Sequence, residues 1–322
     1  MYCYRLHFTA PFHVDGRGTG FYEESESFIR SDTLSAAIVS IWALMEPQKA
    51  TLLAENPPFI LSSAFPFFRE TYFLPRPVAS QAVRLSNEKL GIGKRLKKIR
   101  WLETSLWKQV AGGQSLDDPD SLHIWQDSLA TPSAVGANFP DRLWAEEERP
   151  RLSIERHSNR SAEGQIFHFG RIYFHHQGGL YFFARFSDDA SREDFEFALS
   201  LLADSGIGGD RNSGNGLFQW DHGPDLGMID PGNGPSIAIS LVNPSPIDCR
   251  ENWLDGAAYS LVSRGGWIGG TGLRRSRIRM FGEGSMFRRP LEGRVVEVSP
   301  EPAGHPVFRD GRGFFVSVGE SQ

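Results

Sequence analysis

An amphipathic helix running straight into a glycine loop constrains this chain more than any other feature. Phe195, Ala198, Leu199 and Leu202 recur at i, i+3, i+4 and i+7, the spacing of one buried helical face. Ser191 is the expected cap, with Glu193 and Asp194 in a first turn where acids complement the helix dipole. The helix then meets GIGGDRNSGNG, residues 206–216, where five of eleven positions are glycine and Arg211 sits beside Asn212 and Ser213. Leu217–Trp220 reads as a short strand after it. Gly206, Gly208, Gly209, Gly214 and Gly216 let a backbone come close to something, and the question is what.

Two nucleotide motifs fail here. A dinucleotide loop needs G-x-G-x-x-G between a strand and the helix that follows. In this chain the third glycine is replaced by Arg211, and the loop follows its helix. A phosphate loop needs Lys-Ser or Lys-Thr after its last glycine, and this one ends Gly216–Leu217. Two readings remain open. One is a glycine-rich helix stop. The other is a cradle in which successive backbone N–H groups beside an arginine hold a phosphodiester or an unstacked base.

The rest of the chain supplies a frame for the loop. Tyr2–Phe8 alternates as a first strand. Ser31 or Asp32 can cap a helix through Met45 with Leu34, Ile38, Ile41 and Met45 on one face, and Phe59–Ser63 suits a second strand. From about 74 to 149 periodicity weakens and prolines cluster, which reads as a long insertion. Gln165–Phe174 and Leu180–Phe186 are aromatic-rich strands, with HQGG between them as a hairpin turn. Discounting the insertion, the order is that of a split βαββαβ unit. After a linker, Ser236–Val242 reads as a new first strand and Trp253–Ser263 as a helix. The expected fold is therefore α+β, with two ferredoxin-like (RRM-like) βαββαβ domains in tandem. Residues 1–222 form the first, carrying the insertion at about 74–149, and 235–322 form the second.

Composition excludes several functions. The 322 residues carry a net charge of −5, so positive charge for nucleic acid has to be gathered into patches. Acidic clusters at Glu23–Glu24–Glu26 and Glu146–Glu148 suit solvated faces or a partner other than nucleic acid. Two cysteines, Cys3 and Cys249, read as buried free thiols in a cytoplasmic protein. No apolar run has membrane-spanning length. No paired Cys/His spacing points to a metal, and no cofactor is expected.

Several stretches together resemble the RAMP superfamily, the RNA-binding proteins of CRISPR systems. The helix and GIGGDRNSGNGLF look like its C-terminal glycine-rich loop. IRSDTLSAAI at 29–38, LSSAFPFF at 61–68, FLPRPV at 73–78, GKRLKKIRWL at 93–102 and RLSIERHSNRSAEGQIFHF at 151–169 follow in order. RGGWIGGTGLRRSRIRMFGEGSMF at 264–287 and HPVFRDGRGF at 305–314 complete the series. Within the superfamily the series is similar to the fourth Csm-series subunits of type III-A effectors. That resemblance implies binding to the 5′ tag of the guide RNA and docking to a large polymerase-like subunit and a backbone RAMP subunit. It also implies indirect contact with target RNA and no catalysis. It adds Arg17 and Ser31 to the expected RNA-binding set.

Individual residues carry competing readings. Lys94, Arg95, Lys97, Lys98 and Arg100 place five positive charges in seven residues, an RNA footprint or a solvated segment whose Leu96, Ile99 and Trp101 point inward. Arg275, Arg277 and Arg279 alternate with Ser276, Ile278 and Met280, as a strand with one basic face, flanked by Arg274, Gly266 and Trp267. Arg151, Arg156 and Arg160 suit the RNA path or ion pairs to Glu155 or Glu163. Phe167, Phe169 and Tyr173 share one strand parity and are expected mostly in the core. His13 is the residue on which a guide-processing endoribonuclease would rest. Asp15 reads as a turn former. A nucleotide-binding metabolic enzyme is the third alternative.

Overall fold

The computed structural model describes residues 1–16, 22–78, 95–114, 121–154, 157, 161–250, 252–269, 271–301 and 303–317. Strand β1 (Tyr2–Phe8) leads through a loop to α1 (Ser31–Met45), α2 (Ala50–Glu55), β2 (Phe59–Leu61) and β3 (Phe65–Phe68). β4 (Thr71–Pro75), β5 (Trp101–Glu103), α3 (Thr104–Ala111), β6 (Leu122–Trp125), β7 (Leu129–Pro132) and α4 (Ser133–Gly136) follow. Then come β8 (Trp144–Ile154), β9 (Ser161–Phe174), β10 (Gly178–Phe186), α5 (Asp189–Ser205) and β11 (Phe218–His222).

The main sheet runs β11-β1-β10-β3-β4-β5-β7-β6, with β2 also paired to β10. Its first four positions are antiparallel, the order that two βαβ halves with a central β1 and β10 produce. The stripe on α5 forms as the periodicity demands: Phe195, Ala198, Leu199 and Leu202 are fully buried. They pack toward Tyr4 of β1, whose ring lies 5.6 Å from Phe195. β10 is buried along Gly178–Ala184, because its second face is covered too. Tyr181 packs at 6.1 Å on Phe65, and Phe183 at 6.3 Å on Phe314. A strand buried on both faces reads as a continuous apolar run instead of an alternation. The insertion adds β5, β6 and β7 to the main sheet beyond β4.

Several expected details differ. The N-cap of α1 is Arg30, and Ser31 and Asp32 turn inward instead of capping. The cap of α5 is Asp188, whose carboxylate accepts from the Ser191 N–H at 2.7 Å. HQGG makes a turn, but β9 and β10 do not pair across it. β9 pairs instead with β8, from Trp144↔Phe174 to Ile154↔Ser161, while β10 enters the main sheet. Cys249 is exposed; only Cys3 is buried, where burial pushes its thiol up to about 12.

The C-terminal unit is built from β12 (Ser236–Ala238), β13 (Leu261–Arg264), β14 (Ile278–Phe281), β15 (Met286–Phe287), β16 (Gly293–Glu297), β17 (Phe308–Arg312) and β18 (Phe315–Ser317). Among the described residues past 222 there is no α-helix. The expected helix at 253–263 is replaced by turns and β13. Asn252 and Gly256 both adopt positive φ, which a helix does not tolerate. The expected Arg275–Arg279 strand begins only at Ile278, so those arginines do not share one face.

The two units share a core. Ile237, Ile239, Phe314 and Val316 belong to the same apolar cluster as Leu34, Ile38 and Phe183. The Ser63 N–H donates to the Ile239 carbonyl at 2.8 Å, and the Leu241 N–H donates to Ser31 Oγ at 3.0 Å. Beside this seam, Asp32 is wholly enclosed. Arg264 grips it with two bonds, Nε to Oδ2 at 2.8 Å and Nη2 to Oδ1 at 3.1 Å, and Arg309 donates to Oδ2 as well. Burial alone would raise the Asp32 pKa, but the two guanidiniums hold it well below the usual carboxylate range. No helix among the described residues is long and apolar enough to cross a membrane.

Candidate RNA interface

The glycine loop is held by the segment that follows β1. The Gly209 N–H donates to the His13 carbonyl at 2.8 Å and the Gly216 N–H to the Pro11 carbonyl at 2.7 Å. The Ile207 N–H closes the loop on the Gly216 carbonyl at 3.0 Å. Gly208 sits at φ +94°, and a Cβ there would run into the His13 carbonyl oxygen. Much of the glycine content is thus required by close backbone approach within the chain. The N–H groups of Gly209 and Gly216 already have partners, so the loop is not a row of free donors.

Asp210 organises the next turn. It adopts a left-handed φ of +61° and receives Arg151 Nη1 at 2.7 Å, Ser213 Oγ at 3.1 Å and Asn215 Nδ2 at 2.8 Å. Arg151 also lies over Phe169, 5.2 Å from the ring centre. Its partner is Asp210, not the glutamates expected from sequence. Arg211, Asn212, Ser213 and Gly214 form an exposed turn.

This loop forms one wall of a cleft of about 360 Å³. Gly206, Gly208, Gly209 and Arg211 face Gly266, Trp267 and Arg275 across it, with Ala36, Ala37 and Ser40 of α1 at the base. Arg264 and Arg309 line its floor, backed by Asp32. Asp32 answers two guanidiniums there, Arg211 and Arg275 add two more, and Asp15 is the carboxylate on the lining. Burial, then the neighbouring Arg309, pushes the Arg275 pKa down. The Nε of Arg275 and the Nε of Arg309 are buried without a hydrogen-bond partner among the described residues. A floor with surplus positive charge and unmet donors is suited to an anionic, acceptor-rich ligand. Arg274 stacks over the Trp267 ring at 4.5 Å, leaving that indole 42 % exposed at the rim.

Of the residues expected from sequence, Gly206, Gly208, Gly209, Arg211, Gly266, Trp267 and Arg275 line this cleft, while Asn212, Ser213, Gly214, Gly216 and Arg274 do not; sequence reasoning named those seven. It missed Arg264 and Arg309, which only tertiary contact places at the floor. Ser31 is buried and bonded to Leu241 and Ser63, outside this cleft. Arg277 is exposed and does not line it. Arg95, Lys97 and Lys98 are exposed while Leu96 and Ile99 are buried, so that cluster is a basic surface on an apolar underside. Arg17, Lys94, Arg156 and Arg160 lie outside the described residues. Phe169 is in the core, but Phe167 and Tyr173 are exposed, because β8–β9 stands out as a two-stranded ribbon.

His13 is also on the cleft wall, yet enclosed. Its Nδ1 donates to the Gly170 carbonyl at 2.8 Å, and its ring packs 4.4 Å from Phe169. Burial lowers its pKa, favouring the neutral ring.

The two acidic stretches converge on a second cleft, of about 600 Å³. Its lining holds seven carboxylates against two guanidiniums, a surplus equal to the net charge of the whole chain. Asp15 lines both clefts, so the loop after β1 separates a basic cleft from an acidic one. Among the described residues, no group of three or more His, Cys, Asp or Glu side chains is placed to hold a metal ion.

Residues 233–318 match the family described as the CRISPR Csm4 C-terminal domain. A CRISPR system Cms protein Csm4 from Thermococcus onnurineus is 26% identical over 274 residues, covering 80% of this chain and 81% of that one. One from Streptococcus thermophilus is 24% identical over 311 residues, covering 94% of each. Among solved structures, a Csm3-Csm4 subcomplex of the type III-A CRISPR-Cas interference complex aligns at TM-score 0.69 and 17% identity, over 98% of this chain and 99% of that one. A Csm1-Csm4 cassette bound to pppApApA aligns at 0.60 and 18%, over 99% and 98%. The C-terminal unit thus belongs to the CRISPR Csm4 C-terminal domain family, and along almost all of its length the chain is similar to Csm4 subunits of type III-A CRISPR complexes.

Proposed function

We propose that the chain is a non-catalytic RNA-binding scaffold that anchors the 5′ tag of the guide RNA in the glycine-loop cleft. The observation that carries this reading is the cleft itself. Gly206–Arg211 from the first unit and Gly266, Trp267 and Arg275 from the second meet over a floor of surplus positive charge. Trp267 offers an indole face for an unstacked base, and the arginines offer charge for the phosphates. The relatives in Csm3-Csm4 and Csm1-Csm4 complexes support docking to a backbone RAMP subunit and to the large polymerase-like subunit. The topology of the first unit supports a ferredoxin-like domain. The second is read as a relative of that domain reduced to its strands.

Arg211→Ala and Arg275→Ala are each expected to weaken tag RNA about tenfold, the worth of one charged hydrogen bond, with an unchanged thermal melt. Unchanged affinity in both would remove the cleft from the site. Neutralising Arg95, Lys97 and Lys98 together is expected to lower the salt slope of binding by about 2, at about 0.7 per single-strand phosphate contact. An unaltered slope would make that surface a solvated one.

The acidic cleft repels RNA and suits a basic segment of a partner subunit. Reversing Glu146, Glu147 and Glu148 to lysine is expected to impair co-purification with the partner subunits while leaving tag affinity intact. A charge-reversed chain that assembles normally would contradict this.

The enclosure of His13 favours a positioning role: its carbonyl holds Gly209 and its ring holds Phe169. Repeat RNA cleaved by the purified chain, and no longer cleaved after His13→Ala, would instead support the endoribonuclease reading.

A further inference from the structure

A third cleft, of about 450 Å³, opens between the insertion and the C-terminal unit. Trp101 lines it and is 3 % exposed, yet its indole N–H, the side chain's one polar group, has no acceptor among the described residues. Arg30 is buried beside it. Its Nη1 serves Glu283 and its Nη2 lies 3.7 Å from Glu26, but its Nε has no partner among the described residues. Arg76 makes one hydrogen bond, from Nη1 to the Leu96 carbonyl at 2.8 Å, and no ion pair among the described residues. Burial lowers its pKa, as expected of a cation without a counter-ion. The acid on this wall, Glu283, is already committed to Arg30 and to the Ser63 hydroxyl. Two unmet donors and an unanswered guanidinium call for an anionic ligand rich in acceptors.

The position of the cleft narrows the ligand. β13 carries Val262 on this wall and Arg264 on the floor of the glycine-loop cleft. Two residues of strand put the two sites roughly 7 Å apart along the backbone. On the other side, Ile99 and Arg100 lead back to the exposed Arg95, Lys97 and Lys98. The cleft therefore lies between two basic surfaces already assigned to RNA.

We propose that this cleft is a second RNA subsite, seating a phosphodiester of the same strand whose tag occupies the glycine-loop cleft. Arg76 and the Arg30 Nε face the phosphate oxygens, and the Trp101 N–H donates to a phosphate, sugar or base acceptor. The inference rests on the RNA-scaffold reading.

The test is fluorescence anisotropy with tag-bearing guide RNA on the full chain, for Arg76→Gln, Trp101→Phe and Arg211→Ala. Thermal melts confirm folding. Arg76→Gln is expected to weaken binding about tenfold and to lower the salt slope by about 0.7. Trp101→Phe is expected to weaken binding without changing the slope, because no charge is lost. If Arg211→Ala weakens binding and Arg76→Gln changes neither affinity nor slope, the subsite is overturned and the scaffold reading stands. If Arg76→Gln leaves RNA binding alone but impairs co-purification with partner subunits, the cleft holds an acidic protein segment and the proposal fails. If the unaltered chain shows no RNA affinity, the scaffold reading falls, and the subsite with it.

Discussion

Asp32→Ala is expected to destabilise the folded chain by about 3–5 kcal/mol, the cost of removing one partner from a buried ionic cluster. Asp32 is 1 % exposed and is the carboxylate between Arg264 and Arg309. Its loss leaves two buried guanidiniums facing each other with no anion between them. Their remaining bonds, from Arg264 to the Gly16 carbonyl and the Thr33 hydroxyl and from Arg309 to the Gly265 carbonyl, satisfy donors but not charge. Asp32→Asn is expected to cost nearly as much, because it keeps the volume and removes the charge. Urea unfolding followed by tryptophan fluorescence reads the difference.

The pH dependence has a definite sign. The Asp32 pKa is depressed on folding, so its contribution is present above the ordinary carboxylate pKa, about 4. That contribution is lost as pH falls from there toward the depressed folded value. The unaltered chain should therefore lose stability steeply below about pH 4, and Asp32→Asn should show a shallower acid limb. Parallel acid limbs would mean that this cluster is not a main determinant of acid stability.

Gly208→Val is expected to abolish measurable tag binding while α5 and the sheet remain folded. Two effects combine there. The φ of +94° is costly for a β-branched residue, and the new side chain meets the His13 carbonyl. The loop has to move off the segment after β1, taking Arg211 away from Arg275. Gly214→Ala is the matching control. Gly214 also has positive φ, but no atom lies within 4 Å of its added Cβ, so only the backbone strain, about 1 kcal/mol, remains. Tag affinity lost in the first and kept in the second isolates the close approach as the feature that matters. Equal losses would point to loop stiffness alone.

Helices with a strong apolar period were legible in the sequence, since Leu34–Ile41 and Phe195–Leu202 leave little choice of face. The caps were less legible. Ser31 and Asp32 look like cap residues until Leu241, Arg264 and Arg309 arrive from more than two hundred residues away and take them. The pairing of β9 was hidden for a similar reason. Its partner β8 carries Glu146–Glu148 and Pro150, which read as loop, and a two-stranded ribbon needs no apolar alternation to form. In the C-terminal unit the positive φ at Asn252 and Gly256 ended a helix that composition alone allowed. Half of the basic cleft could be named from GIGGDR and RGGW. Its floor could not: Arg264 and Arg309 stand in RGGW and HPVFRDGRGF, but nothing local shows that both turn inward to one buried carboxylate on α1. The meeting of the two acidic stretches is likewise a product of tertiary structure.

The most direct measurement is anisotropy of the purified chain with tag-bearing guide RNA against a scrambled tag of equal length, at two salt concentrations. The scaffold reading predicts tighter binding to the true tag at both salts, with the preference lost in Arg275→Ala. Equal affinity for both RNAs that disappears at the higher salt would contradict it, because surface charge without a base-reading cleft gives that result.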